Sequence, residues 1–259
     1  MQFDLITEII VANWYIILLF FAVSVLYSSV GFGGGSSYLA ILALTGIAYT
    51  QIRSTALLCN IIVVTGNVIF FQRQRLYNWK KVLPLVVFSV PMAFLGGYLK
   101  ISQTFFFILL GFTLFFAAIT MWISKKVDTK NDSATDVSLI KNASYGGIIG
   151  FISGMVGIGG GIFLAPLLHL THWDIPKKIA ATASIFILVN SMSGLLGQYF
   201  NPDFMVDWSL TSILLITVLI GGQIGGRLSN RLFSPIQLKK ATAILIAFVS
   251  LRILIRDLF

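Results

Sequence analysis

Long apolar runs separated by short basic clusters dominate the chain. The clearest runs cover residues 14–30, 52–71, 101–123 and 210–226, and each carries at most one charge, at or near an end. Several approach the roughly 20 apolar residues that a helix needs to cross a bilayer. Strands of a membrane barrel would alternate polar and apolar residues over about ten positions, and these runs do not alternate. The pattern therefore predicts an all-α integral membrane protein.

The chain contains two copies of one arrangement of features. A glycine-rich break, Gly31-Phe-Gly-Gly-Gly35, recurs 126 residues later (157 − 31) as Gly157-Ile-Gly-Gly-Gly161. The hydrophilic stretch between the copies, at 125–141, has the composition of a linker. The predicted organisation is an N-terminal repeat at 1–124, a linker at 125–141 and a C-terminal repeat at 142–259.

Each repeat is predicted to hold a hairpin followed by three membrane-spanning helices. An apolar segment precedes each glycine break, and a short one follows it, at 36–48 and at 162–170. The second short segment would reach only about 14 Å as a helix, or about half a bilayer. Each break is therefore expected to be the tip of a re-entrant hairpin; a hairpin whose two arms both span the membrane is the alternative. The spanning helices are predicted at 52–72, 82–99 and 102–124, and at 179–199, 209–228 and 238–255.

The odd number of spans predicts that the second repeat is inverted relative to the first, and the charges test this independently. Of the 18 basic residues, 14 fall in loops predicted on one side. Because an excess of Lys and Arg marks the cytoplasmic side, the linker is expected inside the cell and both termini outside. The opposite side keeps Arg53, Lys100, Arg252 and Arg256. The 14 residues are Arg73, Arg75, Lys80, Lys81, Lys125, Lys126, Lys130, Lys141, Lys177, Lys178, Arg227, Arg231, Lys239 and Lys240.

Composition excludes several classes of function. Hydrophobic residues make up 57% of the chain and charged residues 10%, against about 25% charged in a soluble domain. The net charge of +9 is spread over short clusters between spans, which argues against nucleic-acid binding. No predicted span shows paired carboxylates or metal-ligand spacing, so neither an enzyme nor a cofactor is expected. The first apolar run has no basic residue before it, unlike a cleaved signal peptide, and is expected to be retained.

Several motifs resemble those of a known family. The duplicated GxGGG breaks, GMVGIGGGIFLAPLL at 154–168, ATAS at 181–184 and SGLLGQY at 193–199 are similar to the sulfite exporter TauE/SafE family of membrane permeases. The likeness runs from about residue 15 to residue 254. It is closer in the second copy, since Ala40 stands where that copy has Pro166. The resemblance implies an inner-membrane permease of bacterial type for sulfite, sulfonates or related sulfur anions.

The glycine breaks carry the candidate binding chemistry. Three adjacent glycines interrupt a helix and leave backbone N–H groups free, and the half-helix after each break points its positive end at the break. Such an arrangement suits an oxyanion without any lysine, and inversion would bring both breaks to the bilayer midplane. A purely structural loop is the alternative. The candidate residues in the breaks are Gly31, Gly33, Gly34, Gly35, Ser36, Gly157, Gly159, Gly160 and Gly161.

Polar side chains at membrane depth follow each break. Those in the first half are Thr55, Asn60, Thr65 and Asn67, and those in the second are Thr182, Ser184, Asn190, Ser191 and Ser193. Asn60, Thr182, Ser184, Asn190 and Ser193 complete the candidate substrate site. The two asparagines Asn60 and Asn190 are the costliest to bury, so each is expected to line a cavity beside the opposite break or to bond its backbone. Strict alignment of the repeats places Ile187 opposite Asn60. Joining helices is the alternative role. It is the role predicted for the glycines spaced four apart, which are Gly146/Gly150/Gly154, Gly221/Gly225 and Gly222/Gly226.

Three classes of function fit these observations. The favoured one is export of a small anion, such as sulfite, an organosulfonate or a related sulfur oxyanion, by alternating access. Each negative charge that moves outward gains about 2.3 kcal/mol per 100 mV of potential, inside negative. The alternatives are a channel-like facilitative pore and a non-transporting assembly factor.

Overall fold

The structure is a computed structural model that describes residues 2–123, 139–228 and 235–258. Of the predicted linker, residues 125–138 lie outside the described residues, while residues 139–141 belong to a helix. Within these ranges the helices are α1 (Gln2–Ala12), α2 (Trp14–Ser29), α3 (Gly35–Ala43), α4 (Tyr49–Arg73), α5 (Trp79–Tyr98), α6 (Gln103–Ile123), α7 (Leu139–Val156), α8 (Gly161–Leu170), α9 (Pro176–Tyr199), α10 (Trp208–Arg227) and α11 (Pro235–Leu258).

Five of the helices in the described ranges are long and apolar enough to cross a membrane, by length and composition. They are α4, α5, α6, α9 and α10, which are five of the six predicted spans, with boundaries within a few residues of those expected. The sixth predicted span is helical as α11, and the segments predicted as hairpin arms are the helices α2 and α3 in the first half and α7 and α8 in the second. The chain is therefore a multi-pass helical membrane protein.

Apolar side chains cover the outside of the bundle, and polar ones lie within it. Phe88, Phe116 and Phe248, on three different helices, expose between 49% and 63% of their surface. Asn60 and Asn190 are each 1% exposed. Because a water-soluble monomer seldom exposes so many large apolar side chains, the outer surface is suited to lipid.

Glycines bring two helix pairs into close contact. Added side chains at Gly146, Gly150 and Gly154 of α7 would overlap backbone carbonyls of α5, those of Leu85, Ser89 and Ala93. Gly225 of α10 packs in the same way on the Val25 carbonyl of α2. The packing role predicted for these glycines is confirmed. Helices α2 and α7 hold the same place in the two predicted repeats, as do α5 and α10. The α2–α10 contact is therefore the counterpart of the α5–α7 contact.

The half-helices begin where the sequence predicted, and one ends early. Helix α8 (Gly161–Leu170) matches its expected bounds, whereas α3 ends at Ala43 instead of residue 48. The Thr45 hydroxyl donates to the Leu42 carbonyl, and Gly46 has a φ of +76°, which a glycine adopts without strain and which ends the helix. Helix α1, before the first apolar run, was not predicted.

Candidate functional site

The two glycine breaks lie against each other at the side chain of Asn60. A side chain on Gly33 or Gly35 of the first break would overlap the Asn60 amide. A Cβ atom on Gly159 of the second break would lie 2.8 Å from Asn60 Nδ2, and one on Gly35 would lie 2.6 Å from the Ile158 carbonyl oxygen. Glycine is therefore required here for close approach. The two breaks are therefore in contact, and their place at the bilayer midplane stays a prediction.

Helix α4 supplies an amide to each break. Asn60 Nδ2 donates to the carbonyl of Ile158 in the second break at 2.8 Å. Asn67 Nδ2 donates to the carbonyl of Phe32, the equivalent position of the first break, at 3.2 Å. Asn67 Oδ1 in turn accepts from the Ser28 hydroxyl at 3.0 Å. Since a carbonyl freed by a broken helix must find a partner at membrane depth, these two asparagines stabilise the breaks.

Part of the backbone of each break has no acceptor among the described residues. The first two N–H groups of each break, those of residues 31, 32, 157 and 158, bond back to carbonyls of the preceding helix. In the described part of the chain, the N–H groups of residues 33–36 and 159–162 donate to no acceptor. Helices α3 and α8 begin at Gly35 and Gly161, so these include the first-turn N–H groups that a helix leaves unpaired. A cluster of such donors at the positive ends of two helices can bind a negatively charged oxygen.

Two side-chain oxygens beside the breaks also lack partners. Asn60 Oδ1 and Ser191 Oγ are buried and make no hydrogen bond to any described residue. A Cβ atom on Gly159 would lie 2.6 Å from Ser191 Oγ. Because buried polar groups in folded proteins are rarely left unpaired, these atoms indicate a place for a ligand. Ser191 Oγ can donate to an oxyanion there, whereas Asn60 Oδ1 can only accept. The sequence placed Ser191 in the polar cluster but not in the predicted site.

Asn190 makes different hydrogen bonds from Asn60. Its Nδ2 donates to the Phe186 carbonyl of its own helix at 2.8 Å, so the expected bond to the opposite break is not the one it makes. Its Oδ1 is buried without a partner among the described residues. The side chain that does occupy the position equivalent to Asn60 is Ile187, which packs on Gly161, as the strict alignment indicated.

The remaining predicted side chains join helices or lie buried within them. The Ser193 hydroxyl donates to the Val90 carbonyl of α5 at 2.6 Å. The Ser184 hydroxyl donates to the Ala181 carbonyl at 2.7 Å and lies 3.3 Å from the hydroxyl of Tyr77, whose pKa is raised by burial. Thr182 and Ser36 are buried.

The other predicted glycines have contacts away from Asn60. A side chain on Gly31 would meet Phe71, one on Gly34 would meet Tyr38, one on Gly157 would meet the Arg53 backbone and one on Gly160 would meet Phe186. In the described ranges, no group of three or more His, Cys, Asp or Glu side chains could hold a metal ion.

The apolar exterior, the polar interior and the two broken helices define a multi-pass membrane protein of the transporter class. A family model described as Sulfite exporter TauE/SafE matches residues 16–253. The chain belongs to this family.

Curated relatives carry names of the same class. The chain is 31% identical over 245 residues to "Probable membrane transporter protein y4hK" of Sinorhizobium fredii, covering 91% of this chain and 95% of that protein. It is 28% identical over 253 residues to "Probable membrane transporter protein YjnA" of Bacillus subtilis, covering 91% and 98%. A protein of Methanocaldococcus jannaschii with a similar name is 23% identical over 239 residues, covering 86% and 88%. No solved structure matches the chain at a significant level.

Proposed function

We propose that the protein exports a small sulfur oxyanion, such as sulfite or an organosulfonate, by alternating access, and that the two glycine breaks hold the anion together with Asn60 and Ser191. The observation that carries the proposal is the meeting of the two breaks at Asn60, with unpaired N–H groups on both sides. The family name supports the substrate class.

The proposed site binds an anion with neutral donors. Backbone N–H groups, the Ser191 hydroxyl and the Asn60 amide can each donate to an oxygen of the anion. In this conformation the Asn60 side chain fills the space between the breaks, so an anion enters only when that side chain or a break shifts. Binding without a lysine or arginine in contact stays weak enough for release, which transport requires.

The proposal includes repeats of opposite orientation, with the linker in the cytoplasm. It is supported by the exchange of the α5–α7 and α2–α10 contacts and by ion pairs that join loops predicted on the same side. Lys81 and Lys178 lie 3.9 and 3.7 Å from Asp174, all on the predicted cytoplasmic side. Lys100 pairs with Asp203 at 3.0 Å on the opposite side.

Transport by the purified protein in liposomes tests the proposal. Liposomes loaded with radiolabelled sulfite should lose it faster with the protein than without it, and faster still with a potential negative inside. Unlabelled sulfite outside should accelerate the loss, because an alternating-access carrier exchanges substrate whereas a pore does not. Folded protein that moves none of sulfite, thiosulfate, sulfate and taurine would contradict the proposal.

A further inference from the structure

A buried arginine lies near the start of α4, one turn from its first residue. Arg53 is 3% exposed, and its Nε atom makes no hydrogen bond within the described part of the chain. Its Nη2 atom donates to the carbonyls of Gly154 and Gly97 at 3.3 and 3.5 Å, near the ends of α7 and α5. These bonds are longer than the roughly 2.9–3.0 Å that is usual for such donors. No carboxylate of the described residues forms an ion pair with Arg53.

A second unpaired donor shares a pocket with this arginine. Gln198, in the last turn of α9, is 4% exposed, and its Nε2 atom has no hydrogen-bond partner among the residues described. Arg53 and Gln198 both line a small pocket between the start of α4, the end of α9 and the loop that follows α9. Two buried donors without acceptors in one pocket indicate a ligand that supplies acceptors. The pocket is about the size of one water molecule in this conformation, so an oxyanion enters it only when the pocket widens.

The charge around the pocket favours an anion. Asp203 also lines it, but its carboxylate pairs with Lys100 at 3.0 Å. The hydrogen bond and charge of Asp203 raise the pKa of Lys100 above its ordinary value, so the lysine is charged and offsets the aspartate. Arg53 then leaves one net positive charge. Tyr49 and Asn201, which also line the pocket, already donate to the carbonyls of Ile101 and Tyr98, and Thr50 is the remaining polar residue of the lining.

We infer that Arg53 and Gln198 form a second binding site for a small oxyanion, distinct from the place where the glycine breaks meet at Asn60. A guanidinium group binds oxyanions through several N–H groups at once, and the Gln198 amide adds a further donor. Asn60 lies seven residues further along the same helix, about 10 Å away at the helical rise of 1.5 Å per residue. The pocket thus lies on the predicted external side of the breaks, where an exported anion binds after it leaves them. The inference rests on the proposed function, because both sites take the same anion.

Counting bound anions tests the second site. Equilibrium dialysis of radiolabelled sulfite against purified full-length protein should show two anions per chain. Gln198→Met should weaken one of the two sites about tenfold or more, since a hydrogen bond to a charged group is lost. Gln198 Nε2 has no protein partner to lose, so this variant should fold. Arg53→Gln should remove the same site.

Arg252→Gln is the matched control, because Arg252 is an exposed cation that the sequence places on the same side of the membrane. It should keep both sites, which separates a specific pocket from a general attraction of charge. One anion per chain, bound equally by wild type, Gln198→Met and Arg53→Gln, would overturn the second site and leave the proposed function standing. No anion bound to the wild type would instead overturn the proposed function.

Discussion

The Ser191→Ala variant tests whether the glycine breaks bind an anion or only pack against α9. The two interpretations predict different effects of removing the Ser191 hydroxyl. The side chain is fully buried and its oxygen has no partner in the described structure. A buried hydroxyl without a hydrogen bond costs about 1–3 kcal/mol by mutational measurements. Removing it should therefore leave the free energy of unfolding unchanged or raise it.

Transport should respond in the opposite direction. If Ser191 donates to the bound anion, its loss removes a hydrogen bond to a charged group, worth about 1.5–3 kcal/mol. Since each 1.4 kcal/mol is about a factor of ten, kcat/KM for sulfite efflux should fall about ten- to a hundredfold. A variant that is at least as stable as the wild type and yet transports poorly has no explanation in packing.

Ser193→Ala is the matched control on the same helix. The Ser193 hydroxyl donates to the Val90 carbonyl of α5 at 2.6 Å, so its removal should cost about 0.5–1.5 kcal/mol of stability with little change in transport. Thermal unfolding in detergent and efflux from liposomes would be measured for both variants. Normal transport by Ser191→Ala, or an equal loss in both variants, would refute the assignment of Ser191 to the site.

Three further outcomes are expected. Asn60→Ala and Asn67→Ala each remove an amide from a break carbonyl and should lose comparable stability. Asn60→Ala should also abolish transport, whereas Asn67→Ala should keep it. Equal transport by both variants would place Asn60 outside the site. Gly154→Ala should lower the unfolding temperature, because its Cβ atom would overlap the Ala93 carbonyl. Gly147→Ala is the control and should raise the unfolding temperature or leave it unchanged, because its Cβ atom would lie 3.8 Å from Met92. Ser133→Cys in the predicted cytoplasmic linker should resist membrane-impermeant thiol reagents in intact cells, and the buried Cys59 should give no background; labelling would reverse the predicted orientation.

The helices and the glycine breaks could be predicted because both depend on local sequence. A run of about 20 apolar residues defines a membrane helix almost by itself, and adjacent glycines interrupt one wherever they occur. The same local pattern carries less information about where a short helix stops. Helix α3 ends at Ala43 because of the turn around Gly46. That glycine is itself a stop signal in the sequence, and the predicted bound at residue 48 did not use it.

The buried arginine could not be predicted, because its environment is made by distant parts of the chain. From the sequence, Arg53 is a single charge near the end of an apolar run, which is typical of a residue that marks the membrane surface. Its actual neighbours are the ends of α5 and α7 and the last turn of α9. Only the packing of four helices reveals that the guanidinium lies inside the bundle with an incomplete set of acceptors.

The duplication has diverged at the place where the breaks meet. In the first repeat α4 carries Asn60, and in the second α9 carries Ile187 at the aligned position, against Gly161. One carbonyl of each break accepts from a side-chain amide, and α4 supplies both amides, with Asn60 on Ile158 and Asn67 on Phe32. A second asparagine in place of Ile187 would find neither carbonyl free, so an apolar side chain fills that position.

The two amide bonds of α4 therefore differ in what they join. The bond from Asn67 to Phe32 stays within the first repeat, whereas the bond from Asn60 to Ile158 crosses from the first repeat to the second. Any movement of one repeat against the other strains the second bond and leaves the first intact. When the Asn60 bond opens, its Nδ2 atom and the Ile158 carbonyl both lose a partner at membrane depth, where an unpaired polar group is costly. In the proposed mechanism, an anion that accepts from the released amide would offset part of that loss, and binding at the breaks would thereby be coupled to movement between the repeats.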